Sequence, residues 1–345
     1  MKIGNFEIAH NKPCFIIAEL SANHNGSLET AIETIRAAKR AGADAIKFQT
    51  YTADTITLNS KKEDFLIQGT IWEGKYLYDL YQEAYTPWEW HQKLFDVAKE
   101  EGLICFSSPF DKTAVDFLED LNVPAYKIAS FEITDIPLIE YTASKGKPII
   151  ISTGIATHED VELAVEACKK AGNHEIILLK CTSSYPAPIE EANMVMIPYF
   201  EKEFGVISGL SDHTMGSTVA LVATCLGAKV IEKHFIIDRS IGGPDASFSM
   251  NETEFAEMVK SIRDAEKAMG IVTFELSEKQ LISRAHSRSL YVSKDLKKGE
   301  IVTSEHIRSV RPGFSLHPKH YFEILGKRSL KDFTIGDRIK KEDFE

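Results

Sequence analysis

The sequence has few cysteines, no long apolar run and no excess of positive charge. Its cysteines contain no C-x-x-C pair and are widely spaced, which argues against a disulfide framework and against a zinc–thiolate site. They are Cys14, Cys105, Cys168, Cys181 and Cys225. No apolar segment approaches the roughly 18 residues of a membrane helix, and the first residues lack the apolar core of a signal peptide. We therefore expect a reduced, soluble, cytoplasmic protein with no membrane partner.

The charge balance excludes a further class of function. The chain of 345 residues carries 40 Lys and Arg against 51 Asp and Glu, a formal net charge of −11. A nucleic-acid partner is not expected, because such proteins present a basic patch or stripe. Neither a Walker motif nor a G-x-G-x-x-G pattern is present, so a nucleotide is not indicated. A small anionic substrate is still compatible with this balance, because a few cations in a cleft can override the net charge.

Short β-branched segments alternate with amphipathic helical patterns over most of the chain. Glycines at 42, 102, 172 and 227 each follow a helical pattern and precede a strand, as helix C-termini favour. Eight β–α units in residues 1–270 predict an α/β fold, a (β/α)8 TIM barrel. An open doubly wound sheet is the alternative. The predicted strands are Cys14–Leu20, Asp44–Gln49, Leu103–Ser107, Ala125–Ser130, Pro148–Thr153, Ile176–Cys181, Val206–Leu210 and Lys229–Phe235.

The connection between the second and third predicted strands is far longer than β–α connections usually are. Within it, the segment Tyr51–Trp90 contains all three tryptophans, Trp72, Trp88 and Trp90. In a barrel this segment would leave the carboxyl end of the second strand, where active sites are built. Its aromatic residues either form a satellite core or contribute one or two walls of a substrate pocket.

The character of the sequence changes after Gly270. A linker at 271–287 leads to a motif beginning at Lys294, and a near copy begins at Lys331. Two copies are too few for a solenoid. We therefore expect residues 288–345 to form a small, pseudo-symmetric, β-rich domain with its own core.

Reactive side chains occur at the carboxyl end of nearly every predicted strand. A single Lys or Glu there is as compatible with a structural ion pair, but so many at one end of a barrel indicate an active site. The set comprises Glu19, Lys47, Gln49, Ser108, Lys127, Ser130, Glu132, Ser152, Lys180, Ser183, Tyr185, Ser211, His213, Glu232 and His234.

Two subsets point to particular ligands. His213 and His234 end adjacent strands, about 4.8 Å apart, and together could bind a divalent cation; two hydrogen-bonded core histidines are the alternative. Lys47 and Lys127 supply positive charge, and the nearby hydroxyls supply hydrogen-bond donors suited to phosphate or carboxylate. Lys180 allows a different chemistry, a Schiff-base aldolase in which Lys127 activates the amine. A non-catalytic carbohydrate-binding protein would not need this many reactive strand ends.

The same motifs resemble those of the nonulosonic (sialic) acid synthases, in order and over essentially the whole chain. The tail, from Arg288 through Arg311-Pro-Gly313, is similar to their antifreeze-like (SAF) domain. The motifs that carry the resemblance are 17-IAELSANHNG-26, 43-ADAIKFQT-50, 106-FSSPF-110, 126-YKIASFE-132, 152-STG-154, 181-CTSSYP-186, 209-GLSDHT-214, 232-EKHF-235 and 243-GPD-245.

Within that family the sequence resembles the pseudaminate branch. Ser108 and Ser183 stand where neuraminate-forming members carry Thr and Asn, whereas the segment 242-GGPD-245 is closer to the neuraminate type. The resemblance implies a carbon–carbon bond-forming transferase. It would condense phosphoenolpyruvate, water and 2,4-diacetamido-2,4,6-trideoxy-L-altrose to pseudaminic acid and phosphate. Formation of legionaminate or N-acetylneuraminate, from a different sugar, is the alternative.

The resemblance also implies roles for residues of this sequence. Arg311 would reach the active site of a second subunit, which implies a domain-swapped homodimer. His213 and His234 would bind a divalent metal, Mn²⁺ in preference to Mg²⁺ or Co²⁺. The implied catalytic residues are Glu19, Glu132, Tyr185, Asp245 and Arg311. The implied substrate-binding residues are Lys47, Gln49, Ser108, Lys127, Ser130, Ser152, Ser183 and Ser211.

Overall fold

The computed structural model describes residues 1–345, which form two compact units, Met1–Gly270 and Ile271–Glu345. The first unit is a closed barrel of eight parallel strands in sequential order. The predicted TIM barrel is therefore confirmed, and the open sheet is excluded. The barrel strands, named here by their order, are Phe15–Glu19, Ala45–Thr50, Ile104–Pro109, Tyr126–Ile128, Ile149–Ser152, Ile176–Cys181, Ile207–Asp212 and Val230–His234.

A helix follows every barrel strand, and local sequence signals set the helix ends. The Thr157 hydroxyl accepts from the amide of Asp160, whose carboxylate in turn accepts from the Thr157 amide, a capping box that starts the fifth helix. Gly42 follows the first helix with φ +88°, a left-handed conformation that glycine adopts without strain. The helices are Leu28–Arg40, Trp88–Glu100, Lys112–Asp120, Ile136–Ala143, His158–Lys170, Met196–Phe204, Thr218–Cys225 and Glu252–Met269.

Two additions modify the barrel. A short N-terminal hairpin, Lys2–Ile3 with Phe6–Glu7, packs Ile3 and Ile8 against the apolar residues of the strand starts. At the other end, the long second connection contains the helices Ala53–Ile56 and Leu77–Ala84 and a 3-10 turn at Glu63–Phe65. Further 3-10 turns occupy Ser130–Glu132, Ile189–Glu191 and Arg239–Ile241.

The second unit begins with a segment that includes the helix Glu278–Arg284, and two antiparallel strands follow, Ser289–Val292 and Ile307–Val310. Its remaining elements are the helix Tyr321–Ile324 and the 3-10 turns Pro318–His320 and Lys341–Asp343.

The two sequence copies of the second unit are related by reciprocal bonds. The amide of Leu296 donates to the carbonyl of its equivalent, Phe333 (3.0 Å), and the amide of Phe333 donates back (2.8 Å). The equivalent carboxylates of Asp295 and Asp332 each accept from a backbone amide of the other copy. The copies therefore pair about a pseudo-twofold axis and fill one apolar core.

All five cysteines are free. No helix in the structure combines the length and apolarity needed to cross a membrane.

Candidate active site

The inward faces of the barrel strands change from apolar to polar toward their carboxyl ends. On the first strand Phe15 and Ile17 precede Glu19, and on the second Ala45 precedes Lys47. Residues two apart on a strand share a face, and in this barrel that face points inward. The polar strand ends therefore meet in one mouth, at the end of the barrel where TIM-barrel enzymes place their active sites.

Two lysines and two carboxylates form the centre of this mouth. Lys47 makes an ion pair with Glu19 and donates to the Ser108 hydroxyl (3.3 Å). The Nζ atoms of Lys47 and Lys127 lie 3.9 and 3.8 Å from the same oxygen, Oε1 of Glu232. All four charged residues are at most 5% exposed. Buried charges need partners, and these four compensate one another.

The two carboxylates differ in their electrostatics. Burial raises the pKa of Glu19 to about 7, although Lys47 opposes the shift. Burial also acts to raise the pKa of Glu232, but Lys127 and Lys47 outweigh it and hold that pKa below its ordinary value. Glu232 therefore stays ionised at neutral pH, whereas Glu19 titrates there. When Glu19 takes up a proton, the cluster has a net positive charge and can receive an anion.

Hydroxyl groups without hydrogen-bond partners lie beside this cluster. The buried Oγ atoms of Ser152 and Ser183 have no partner in the protein. Ser130 Oγ accepts from the amide of Gly154 (3.1 Å), and a Cβ on that glycine would lie only 2.7 Å from this hydroxyl. Glycine is therefore required for the hydroxyls to crowd around this turn. Unpartnered buried donors are costly, so they indicate a bound polar ligand.

A chain of hydrogen bonds links Glu19 to the loop that follows the eighth strand. Gln49 donates to Glu19 Oε1 (3.2 Å) and to the Ser21 hydroxyl (2.9 Å), and Ser21 donates to Asp245 Oδ2 (2.6 Å). Burial raises the pKa of Asp245. The chain brings two of the predicted catalytic carboxylates into one connected network.

The two predicted metal ligands are neighbours, with ring centroids 5.2 Å apart. His213 Nδ1 lies 3.0 Å from the Thr182 carbonyl, which fixes that ring. His234 Nδ1 is buried without a hydrogen-bond partner, 3.8 Å from Asp245 Oδ2. Burial, followed by the neighbouring His213, holds the pKa of His234 well below its ordinary value, so it is a neutral imidazole.

These features decide how well a divalent ion fits. No group of three or more His, Cys, Asp or Glu side chains in the structure is arranged to hold a metal ion by itself. Two imidazoles, one of them neutral and unpartnered, are a suitable partial set for Mn²⁺ or Co²⁺, with substrate or water completing the coordination. The donor set therefore fits an open, substrate-completed site and does not fit a closed structural one.

An aromatic wall stands beside the histidines. The Tyr185 ring lies 4.5 Å from that of His213, 5.1 Å from Phe248 and 5.6 Å from Trp72, measured between centroids. Trp72 Nε1 donates to the Pro244 carbonyl (3.1 Å). A surface cavity of about 420 Å³ opens beside Trp72 and Pro244. It is lined by Ile71, Trp72, Glu73, Lys75, Glu83, Gly243, Pro244 and Ser247.

The other two tryptophans of the long connection pack elsewhere. Trp88 stacks on Phe117 at 4.7 Å, and Trp90 meets the edge of the His24 ring at 5.5 Å. Most of the segment is half-buried or exposed, and it forms no separate apolar cluster, so the satellite core is not found. One of its three tryptophans, Trp72, reaches the mouth.

Two predicted catalytic residues lie outside the hydrogen-bonded network. Glu132 ends the turn after the fourth strand, where its Oε2 is buried without a partner. Burial raises its pKa to about 7, and Lys127 acts against that shift. Arg311 belongs to the second unit, where it is exposed. The roles of both residues stay predictions.

The aldolase alternative required Lys127 to lie beside Lys180, and the structure does not show this contact. Lys180 Nζ donates to the Cys181 carbonyl (2.6 Å) and, at 3.5 Å, to the Thr182 hydroxyl. Burial lowers its pKa, and the charges acting on it are those of Cys181 and Glu191. Lys127 is not among its contacts, so the expected activation by that residue is wrong.

Sequence reasoning gave no role to two residues that the structure places in the mouth. Glu232 accepts from the Ser211 hydroxyl (3.1 Å) and lies between the two lysines. The sequence places it among the reactive strand ends, two positions before His234, but does not show that it would lie between the lysines. Cys181 Sγ lies 3.6 Å from His213 Nδ1. No sequence signal distinguishes that thiol from an ordinary core cysteine.

Comparisons with known sequences agree with this architecture. The sequence model of the NeuB family matches residues 34–273, and that of the SAF domain matches residues 287–345. The chain is 52% identical to a pseudaminic acid synthase of Campylobacter jejuni subsp. jejuni over 344 residues, all of both chains. It is 48% identical to a pseudaminic acid synthase of Helicobacter pylori over 335 residues, 97% of this chain and 98% of that one.

A solved structure extends the likeness to three dimensions. The N-acetylneuraminic acid (sialic acid) synthetase of Leptospira borgpetersenii, in complex with citrate, superposes with a TM-score of 0.73 at 31% identity. The match covers 82% of this chain and 94% of that one. The family resemblance seen in the motifs is confirmed: this chain belongs to the NeuB family and carries a C-terminal SAF domain.

Proposed function

We propose that the protein condenses phosphoenolpyruvate with 2,4-diacetamido-2,4,6-trideoxy-L-altrose and water, giving pseudaminic acid and phosphate. The observation that carries this proposal is the end-to-end identity of 48–52% to pseudaminic acid synthases. Family membership alone leaves the sugar open, because fold and family do not fix a substrate. Legionaminate or N-acetylneuraminate formation is therefore the alternative outcome.

Phosphoenolpyruvate is assigned to the lysine cluster. Lys47 and Lys127 supply two charges in a site closed to bulk water, where electrostatic attraction is strengthened. The unpartnered hydroxyls of Ser152 and Ser183 supply further donors. Ser108, Ser130, Ser211 and Gln49 complete the proposed anion-binding set.

The reaction begins when C3 of phosphoenolpyruvate attacks the aldehyde carbon of the open-chain sugar. Water then adds to the cationic C2, and the tetrahedral adduct loses phosphate by cleavage of the C–O bond. Protons must reach the former aldehyde oxygen and leave the attacking water. Glu19 and Glu132, each with a pKa raised by burial to about 7, can hold or release a proton at neutral pH. Asp245 is connected to Glu19 through Ser21 and Gln49.

A divalent ion, Mn²⁺ in preference to Mg²⁺ or Co²⁺, is part of the proposal. Held by His213 and His234, it would polarise the sugar aldehyde. The support is the unpartnered, neutral imidazole of His234 beside His213. Activity that survives exhaustive chelation would contradict this assignment, whereas loss on chelation and recovery with Mn²⁺ would support it.

The sugar is assigned to the aromatic side of the mouth. The proposed substrate has a 6-deoxy methyl and two acetamido methyls, which apolar walls accommodate better than the hydroxyl-rich end of N-acetylmannosamine. Trp72 and Tyr185 form such a wall, and Asp245 lies in the loop that carries Pro244. Preference for the diacetamido sugar follows from this arrangement.

We further propose a domain-swapped homodimer in the cytoplasm, with Arg311 completing the partner's site. The support for a second copy is a set of three exposed apolar residues at the start of the second unit, which a partner subunit would cover. Ile271, Val272 and Phe274 are 85%, 100% and 98% exposed, and monomers rarely leave such residues clustered in solvent. Light scattering of the purified protein tests the dimer, and a monomer at micromolar concentration would contradict it. Five free thiols agree with a reducing compartment.

The reaction is tested directly by phosphate release. Release should require both substrates, and the product should have the mass of pseudaminic acid. With ¹⁸O in the bridging position of phosphoenolpyruvate, C–O cleavage carries the label into phosphate. Pyruvate adducts trapped by borohydride would instead support a Schiff-base aldolase.

A further inference from the structure

Behind the two histidines lies an ion pair that the mechanism does not use. Asp212 and Lys233 are cross-strand partners on the seventh and eighth strands, one position after the inward-facing pair Ser211 and Glu232. Side chains alternate along a strand, so Asp212 and Lys233 point to the opposite side, toward the helical layer. Both side chains are 1% exposed, and Lys233 Nζ lies 2.6 Å from Asp212 Oδ2.

The side chains of Asp212 and Lys233 make hydrogen bonds to each other and to the turn that follows the seventh strand. Lys233 Nζ donates to Asp212 Oδ2, to the Thr214 carbonyl (2.5 Å) and to the Gly216 carbonyl (3.0 Å). Asp212 Oδ1 accepts from the amide (2.9 Å) and the hydroxyl (2.8 Å) of Thr214. The pair therefore fixes the backbone of residues 212–216, and His213 is inside that stretch.

The same turn is connected to the aromatic wall. The carbonyl of His213 accepts from the amide of Ala187 (2.9 Å), two residues after Tyr185. A buried ion pair adds little stability compared with apolar residues of similar volume, whereas a fully satisfied polar network holds one conformation. The energetics therefore favour a role in orientation over a role in stability.

We propose that Asp212 and Lys233 are positioning residues that hold the His213 imidazole in its metal-binding orientation. The proposal rests on the assignment of His213 and His234 as metal ligands. Groups that orient metal-binding histidines typically change metal affinity or activity by roughly 10–100-fold when removed.

The test uses the full-length double variant Asp212→Asn with Lys233→Met, which removes both charges without leaving one buried alone. Histidine-labelled protein is examined by NMR, and His213 is assigned with a His213→Gln variant. We expect the His213 ring signals to shift or broaden while those of His91 stay unchanged, because His91 is held separately by Thr50 and Pro87. An unchanged His213 signal would overturn the proposal.

A second readout is Mn²⁺ binding to metal-stripped protein by calorimetry. The double variant should bind Mn²⁺ roughly 10–100-fold more weakly than the wild type. Arg263→Met is the control, because it removes a partly buried ion pair with Asp44 at the opposite end of the barrel. Equal weakening in both variants would contradict a local positioning role. Absence of Mn²⁺ binding by the wild type would refute the metal assignment instead, and the ring signals would still decide the role of the ion pair.

Discussion

The two ends of the barrel are built from the same strands and have opposite properties. At the strand starts, the inward residues Phe15, Ile17 and Val230 pack together with the N-terminal hairpin in one apolar cluster. At the strand ends, Glu19 and Glu232 meet two lysines, and several polar atoms have no partner. The strand starts are fully packed, whereas the strand ends contain polar atoms that lack hydrogen-bond partners. The difference indicates that the strand starts provide stability and that the strand ends are completed by ligands.

The sharpest test of this comparison substitutes one lysine at each end. Lys127→Met removes a charge from the mouth and should lower kcat/KM for phosphoenolpyruvate by roughly 10³-fold, the loss typical of a removed electrostatic contact. Lys229→Met removes the lysine just before the eighth strand, whose Nζ donates to the Lys12 carbonyl (3.1 Å). That control should keep kcat/KM within about twofold of the wild type, as a surface substitution would. Similar losses of kcat/KM in both variants would contradict the difference in role between the strand ends and the strand starts.

The second prediction asks whether the mouth is completed by a partner chain. Arg311→Ala should lower turnover by roughly 10²-fold while the protein stays folded and dimeric. Mixing Arg311→Ala subunits with Lys127→Met subunits should restore about a quarter of wild-type activity, because half of the dimers are mixed and each has one intact site. No recovery after verified subunit exchange would refute the swap.

Substitution in the aromatic wall should have a smaller effect on activity than the lysine and arginine substitutions. Trp72→Ala should raise KM for the sugar about tenfold, equivalent to losing about 1.4 kcal/mol of binding, and leave KM for phosphoenolpyruvate unchanged. Trp88→Ala is the control, because that ring packs on Phe117 of the helix Lys112–Asp120. It should lower the melting temperature and spare both KM values. If Trp88→Ala alone raised the sugar KM, Trp88 rather than Trp72 would contact the sugar.

The smallest effect concerns stability. The pKa of Glu132 is raised from 4.5 to about 7 by burial, so between these values the folded state binds the proton more tightly than the unfolded state. Stability from this group is complete below pH 4.5 and is lost as the pH rises through 7. Glu132→Gln should therefore melt a few degrees higher than the wild type at pH 8, with the advantage disappearing toward pH 4.5. A constant difference across this range would contradict a buried, protonated carboxyl.

Much of the barrel could be predicted from local sequence. Apolar runs separated by glycine-terminated helices located all eight strands, because each signal lies within a few residues. The fourth strand is shorter than predicted and ends at Ile128, since residues 130–132 turn into a 3-10 helix. Because parallel strands end at the same rim, the mouth could also be predicted.

Side-chain partners could not be predicted, because they depend on long-range packing. The first four residues of the sixth strand, 176-IILLKC-181, are apolar and occupy both faces, so the pattern does not show whether Lys180 or Cys181 points inward. Cys181 points inward, and Lys180 therefore does not contact Lys127, the neighbour that the sequence analysis assigned to it. Similarly, nothing local distinguishes Trp72, which reaches the mouth, from Trp88, which does not.

The central claim is tested most directly by a competition assay. Purified protein is given phosphoenolpyruvate, Mn²⁺ and equal concentrations of 2,4-diacetamido-2,4,6-trideoxy-L-altrose and N-acetylmannosamine, and the products are separated by mass. The account predicts that pseudaminic acid forms in large excess, with one phosphate released for each molecule. Predominant formation of N-acetylneuraminic acid would contradict it.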